Sequence, residues 1–267
     1  GAQPMDMLRT GVSMLAAFDP ELNDHSHDAN LRKSVRLIAK ISTLVTSGWR
    51  IAHGQEPLLP QFNLGHAANF FFCLTGKAPP SLEEEVFNKI FALYAEHDFN
   101  ASTFAARVTA STLADIYAAI TTAIATLKGP LHGGANEEAV KGLRDIGTPD
   151  RAEAWLKERL ARKEKITGFG HRIYKQGDSR VPMMREILRA LGQRAGEEHW
   201  VKICEKLEEL MQREKHLCAN VDLYAAPVFP LMGIPSNLNT LIFACSRISG
   251  WCAHVIEQHD HNRLIRP

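Results

Sequence analysis

Gly129-Pro130-Leu131-His132-Gly133-Gly134-Ala135-Asn136 decides how this chain is read. An alanine-rich apolar stretch, Phe104 to Leu127, runs into it with the residue mix of a helix buried on nearly every side. Gly129 and Pro130 stop that helix, one as a C-terminal cap and the other as a breaker. A histidine follows on backbone with almost no side-chain bulk, and a second helix restarts near Asn136. Paired glycines let main chain approach a ligand closely and adopt positive φ. The restarting helix aims free N–H groups and a partial positive charge at whatever sits there. Two readings stand: an ordinary helix connector with a chance histidine, or a place where His132 and a helix end meet a small electron-rich group.

Outward from that loop, nearly every segment repeats the helical signature. Leu31, Val35, Ile38, Ile41 and Val45 recur at helical spacing over residues 31–47. Pro79-Pro80-Ser81 precede Leu82-Glu83-Glu84, a capping box with Ser81 as cap and Glu84 reaching back, and the helix that follows buries Val86, Ile90 and Leu93. Residues 150–163 set Ala152, Trp155, Leu156 and Leu160 on one face, and residues 197–217 do the same with Trp200, Ile203, Leu207 and Leu210. Pro235-Ser236 opens a last helix through about Gln258. Period-two strands, repeats and low-complexity linkers are not found, so the expected fold class is all-α. Residues 104–128 and 238–256 suit helices buried deep in a large bundle, whereas 136–217 are charged and amphipathic and suit a smaller, more exposed lobe. The expected division is a large domain over 1–134 that resumes over 235–267, and a smaller domain over 135–234. The polar islands fall at the junctions, where small-molecule clefts concentrate.

Composition narrows the function. Of 267 residues 45% are hydrophobic, enough for a sizeable core. Lysine plus arginine numbers 31 against 30 acids, a net charge of +1, which argues against broad nucleic-acid or membrane-surface binding. The nearest approach to a membrane span, Thr240 to Ile248, is interrupted by Ser246 and Arg247, and no signal peptide is read. Five cysteines without a CxxC pair fit buried free thiols in a reducing cytoplasm.

Four further islands carry chemistry. His97 continues the stripe Val86, Ile90, Leu93 by one helical step; a hydrogen-bonded core histidine and a ligand contact are equally good readings. Gly168-Phe169-Gly170-His171-Arg172 forms a glycine turn with Lys175, Asp178 and Arg180 close behind, a setting for phosphates or carboxylates. It lacks the third glycine of a dinucleotide fingerprint and the Gly-Lys-Ser/Thr of a P-loop. Asn220-Val221-Asp222 leads into Tyr224 to Ile234, a run with no other charge. A carboxylate there is a helix cap or, with a raised pKa, a base near neutral pH. Arg247 is the only Lys, Arg, Asp or Glu between Asp222 and Glu257 and needs an anion, from the protein or from a substrate. Together these residues point to proton abstraction beside a carbonyl on a small polyanion.

Taken in order, the islands resemble the citrate synthase family. The resemblance runs over essentially the whole chain, from Pro4-Met5-Asp6-Met7-Leu8-Arg9-Thr10 through Glu96-His97-Asp98-Phe99-Asn100-Ala101-Ser102-Thr103, Gly129 to Asn136 and Gly168 to Arg180. It continues to Asn220-Val221-Asp222, Gly250-Trp251 and Asn262-Arg263-Leu264-Ile265-Arg266-Pro267. It implies an all-α enzyme with a large helical domain and a smaller mobile one, condensing acetyl-CoA, or propionyl-CoA, with oxaloacetate as co-substrates and holding no permanent cofactor or metal. By the same resemblance His132 would hydrogen-bond the thioester oxygen while Asp222 removes the α-proton, and His171 would polarise the ketone. His97, Arg180 and Arg247 would hold carboxylates of oxaloacetate, and Arg266 would reach the neighbouring subunit's site in a homodimer. Gly168, Gly170, Arg172 and Lys175 would face the CoA phosphates, and closure of the small domain would exclude water. Family members begin before Pro4 and continue beyond Pro267, so the chain is read as a piece of such an enzyme or as a short member. It also departs from the pattern, with Ser179 where proline is usual and with Leu223-Tyr224-Ala225-Ala226 in place of an aromatic–aromatic–serine run.

Three rivals complete the reading. 2-Methylcitrate synthase performs the same chemistry on propionyl-CoA, and one methylene discriminates by only ~1–3 kcal/mol; His171-Arg172 favours the citrate form, since the methylcitrate enzymes tend to carry proline after the histidine. A metal-dependent all-α hydrolase would use His97-Asp98 and the group His254, Glu257, His259, Asp260 and His261, although no HExxH is present. A non-catalytic helical scaffold leaves the glycine-flanked histidines and Arg247 without a purpose.

Overall fold

The computed structural model describes residues 3–130, 132–133, 135–170 and 177–267, the side chains of residues 135–137 excepted. Among the described residues the regular structure is helical, and the only β pairing is a single antiparallel bridge between Phe169 and Ala219. The chain divides into two compact units, Gly1–Gly133 with Thr240–Pro267, and Gly134–Asn239.

The first unit contains α1 (Pro4–Leu15), α2 (His27–Ala52), α3 (His66–Thr75), α4 (Ser81–Tyr94), α5 (Ala101–Ser111), α6 (Ile116–Leu127) and most of α13 (Asn239–Asp260). Helix α6 pairs with α5 and α1, α2 packs on α1 and α3, and α3 on α4. The apolar stretch from Phe104 to Leu127 is two helices and not one. The break at residues 112–115 places Leu113 at φ 62, and Asp115 then caps α6 by accepting the Ala118 N–H at 3.0 Å.

Other expected details shift as well. Leu31 and Val35 are exposed; the inward face of α2 runs instead through Ala29, Lys33, Leu37, Ile41 and Val45. That face can include a lysine because the Lys33 ammonium donates to the carbonyls of Glu21, Leu22 and Asp24, so its charge is buried with acceptors. Ser81 is the first residue of α4 and makes no cap hydrogen bond; Pro80 holds the cap position. Helix α6 ends at Leu127 with Lys128 as its cap in right-handed conformation, so Gly129 is not a left-handed cap. Gly133 is the glycine that the loop requires. Its N–H donates to the Leu127 carbonyl at 3.0 Å, and a methyl there would strike that oxygen and approach Thr240 Cγ2 to 2.9 Å.

Helix α13 presses on the end of α4. The Gly250 N–H donates to the Ala95 carbonyl at 3.1 Å, and a methyl on Gly250 would collide with that oxygen and with Glu96 Oε2. Ser246 Oγ donates to the Phe91 carbonyl at 2.6 Å, and Trp251 is fully buried.

The second unit holds α7 (Ala135–Ile146), α8 (Ala152–Ala161), α9 (Val181–Ala195), α10 (His199–Lys215), α11 (Val221–Ala225) and α12 (Val228–Leu231). Short α11 packs against α7, α9 and α10, and its neighbours Ala226, Val228 and Phe229 are buried. Residues 168–170 run beside 218–220 with Gly170 N–H on the Cys218 carbonyl and Asn220 N–H on the Gly168 carbonyl, both 2.9 Å. Gly168 (φ 93) and Gly170 (φ 73) supply the left-handed backbone this pairing needs, and a methyl on Gly168 would come within 2.9 Å of Leu223 Cβ.

Candidate active site

In the first unit the centre is His132, half-buried in the turn after α6. Its Nε2 lies 2.8 Å from Ser102 Oγ, and the Ser102 backbone N–H donates to the same nitrogen at 3.3 Å. Burial lowers the His132 pKa and the Arg247 charge adds to the effect, which favours the neutral imidazole. Ser102 is itself held at three points. Trp251 Nε1–H donates to its Oγ at 3.2 Å, Asn100 Oδ1 lies 2.7 Å from that Oγ, and the Ser102 N–H also reaches Asn100 Oδ1 at 3.1 Å as part of the α5 cap. Sequence reading quoted Asn100, Ser102 and Trp251 within motifs but gave them no role. Asn100 is legible as a cap, Trp251 as core; nothing local signals their meeting at the histidine.

Arg247 is 1% exposed, donates through Nε to the Tyr94 carbonyl at 2.7 Å and lies 4.7 Å from the Phe243 ring. His97 does not extend the α4 stripe. The helix ends at Tyr94, the Ala95 carbonyl just beyond it accepts the Gly250 N–H, and His97 follows on a non-helical segment, half-buried, its carbonyl accepting from Asn100 Nδ2 at 3.3 Å. Arg266 is exposed on the segment after α13, beside a hollow of about 590 Å³ lined by Arg107, His261 and Arg263 among others.

In the second unit Asp222 keeps part of its surface open but is ringed by protein. Loss of solvent is the main influence on its carboxyl and pushes it up to about 6; Arg180 and Lys165 pull it down, and Asp178 pushes it further up. Asn220 caps α11, its Oδ1 accepting the Asp222 N–H at 3.1 Å and its Nδ2 donating to the Gly170 carbonyl at 3.0 Å. The glycine loop and the carboxylate are thereby tied through one side chain. Arg180 forms a two-pronged pair with buried Asp178, Nε on Oδ1 at 2.9 Å and Nη2 on Oδ2 at 2.8 Å. His171, Arg172 and Lys175 lie outside the described residues.

The hydrolase alternative finds no support. Among the described residues no three His, Cys, Asp or Glu side chains gather as a metal would need, and His254 faces Arg107 Nη1 at 3.2 Å and Glu96 at 3.0 Å.

The first unit thus offers a histidine with a lowered pKa, and the second a carboxylate pushed up to about 6. The sequence model described as "Citrate synthase, C-terminal domain" matches residues 1–267. This chain belongs to the citrate synthase family. Citrate synthase of Heyndrickxia coagulans is 48% identical over 267 residues, all of this chain and 72% of that protein. Citrate/2-methylcitrate synthase of Bacillus subtilis is 49% identical over 265 residues, 99% of this chain and 71% of that protein. The ternary complex of carboxymethyl coenzyme A and oxaloacetate with citrate synthase from Thermoplasma acidophilum superposes with a TM-score of 0.91 at 33% identity, covering 100% of this chain and 72% of that one. The all-α fold that the resemblance implied is thus the fold of the citrate synthase family.

Proposed function

We propose that this chain condenses acetyl-CoA with oxaloacetate and water, giving citrate and CoA, as a transferase that converts the acyl group to an alkyl group on transfer. The observation that carries the reading is the complementary pair of titrating groups, a carboxylate lifted to about 6 and a histidine whose pKa is lowered by burial, held at Nε2 by Ser102. Asp222 takes the α-proton of the acyl group, and His132 donates to the thioester oxygen as negative charge develops there. The enol carbon attacks the ketone of oxaloacetate, polarised by His171, and water then cleaves the citryl thioester to free CoA. His97, Arg180 and Arg247 hold the carboxylates of oxaloacetate. Gly168, Gly170, Arg172 and Lys175 face the CoA phosphates. Arg266 acts in the site of a second copy, which makes the working unit a homodimer. A cytoplasmic setting belongs to the same reading, supported by five free cysteines; among the described residues no helix is long and apolar enough to cross a membrane.

A second acyl substrate is supported by the Bacillus subtilis relative, whose name includes 2-methylcitrate synthase. Propionyl-CoA differs by one methylene, worth ~1–3 kcal/mol in a pocket, so both acyl groups are expected to turn over. Oxaloacetate-dependent CoA release tests the reading. It should be present in the wild type, fall by roughly 10²-fold or more in Asp222→Asn and in His132→Ala, and favour acetyl-CoA in kcat/KM. Undiminished release in either variant defeats the mechanism, and a clear propionyl preference reverses the order of the two substrates.

A further inference from the structure

We infer that Asp178 is a positioning residue that joins Arg180 and the helix bearing Asp222 into one rigid assembly. The inference rests on the proposed condensation, in which Arg180 holds a substrate carboxylate and Asp222 removes the proton. Asp178 is 4% exposed, and its two oxygens accept four hydrogen bonds. Oδ1 takes the Arg180 backbone N–H at 3.0 Å and its Nε at 2.9 Å; Oδ2 takes Arg180 Nη2 at 2.8 Å and the Val221 N–H at 3.0 Å. Val221 opens α11 and directly precedes Asp222. One carboxylate therefore fixes the direction of the guanidinium fork and the first turn of the base-bearing helix, which begins 43 residues beyond Asp178 in sequence.

Chemistry makes the role hard to replace. An asparagine has one acceptor oxygen and an NH₂ group, so in either orientation it turns a donor toward a guanidinium N–H, and toward a backbone N–H as well. Its lack of charge also matters. Burial works to raise the Asp178 carboxyl, but the hydrogen bonds and charge of Arg180 with the two backbone N–H groups outweigh that and hold it below the usual range. Asp178 therefore stays ionised at working pH, offsets Arg180, and opposes ionisation of Asp222, while Arg180 and Lys165 favour it. Arg185 and Glu208, on the helices packed beside α11, are engaged with each other and with Tyr224.

Steady-state kinetics of the full chain across pH 5–9 test this. In Asp178→Asn the acid limb of kcat should move down by roughly half a unit to one unit, as a negative neighbour of Asp222 is lost, and KM for oxaloacetate should rise by about 10-fold as Arg180 loses its fork. Asp178→Glu keeps the charge on a longer arm that cannot span all four donors; its acid limb should stay at the wild-type position while KM for oxaloacetate rises. An unmoved acid limb in Asp178→Asn overturns the inference. If Asp178→Asn does not fold, Asp178→Glu decides, and wild-type values of both quantities in it overturn the inference. Absence of oxaloacetate-dependent CoA release from the wild type would instead defeat the proposed reaction, so the two failures are distinguishable.

Discussion

Asp222 sits where water is scarce, and its carboxyl moves from an ordinary 3.8 up to about 6. A carboxyl whose folded-state pKa is raised contributes stability that is complete below the unfolded value and is lost as pH rises through the folded one. Above pH 6 the charged Asp222 therefore works against the fold that positions it. Asp222→Asn, inactive under the proposed mechanism, should be the more stable protein at pH 8, by on the order of 1–3 kcal/mol, and should lose that advantage at pH 4. Thermal melts at the two pH values read the difference; an advantage of the same size at both would exclude ionisation as its source. This carboxyl was legible in sequence because it enters the uncharged run from Tyr224 to Ile234. Ser102 was not. Its partners His132 and Trp251 stand 30 and 149 residues away, and no local spacing announces such a meeting. Asp178 shows a third case, visible as a charge near the glycine loop but silent about Val221 until the bridge between Phe169 and Ala219 sets the two segments side by side.

Helix α13 meets the end of α4 backbone to backbone, with the Gly250 N–H on the Ala95 carbonyl. Just beyond this contact the chain has left the helix, and His97 lies off the helical stripe. Gly250→Ala keeps the N–H but adds a methyl where there is no room, and the expected loss is about 1–3 kcal/mol of stability. Urea denaturation should show a lower midpoint with an unchanged slope; an unaltered midpoint would mean that α13 can slide away at no cost. Element existence was readable from apolar periodicity, but the joints were not. The run from Phe104 to Leu127 contains neither glycine nor proline, so the break around Leu113 is marked only by Asp115, three residues before the amide it caps. Leu31 and Val35 misled in the opposite way, since α2 turns a lysine inward and leaves them outside. Hydrophobic pattern assumes that charge stays in solvent, and three carbonyls around Lys33 remove that assumption.

Across the whole molecule, family membership was legible because its motifs are spread from Pro4 to Pro267 and keep their order, which no single loop could establish. The proposal that Arg266 works in a second copy has a direct assay. Arg266→Ala and Asp222→Asn chains, each inactive alone, should regain about a quarter of wild-type activity when mixed, unfolded and refolded, because each hybrid dimer then carries one intact site. No recovery would return Arg266 to its own subunit. Thiol placement has a practical consequence of its own. Cys73, Cys204, Cys245 and Cys252 are buried, and burial raises all four thiols, Cys245 and Cys252 to about 12. Cys218 is partly open, and its own carbonyl holds Gly170. An electrophilic dye offered to the folded chain would therefore attach at one native position, leaving a fluorescent reporter beside the glycine loop without a single engineered cysteine.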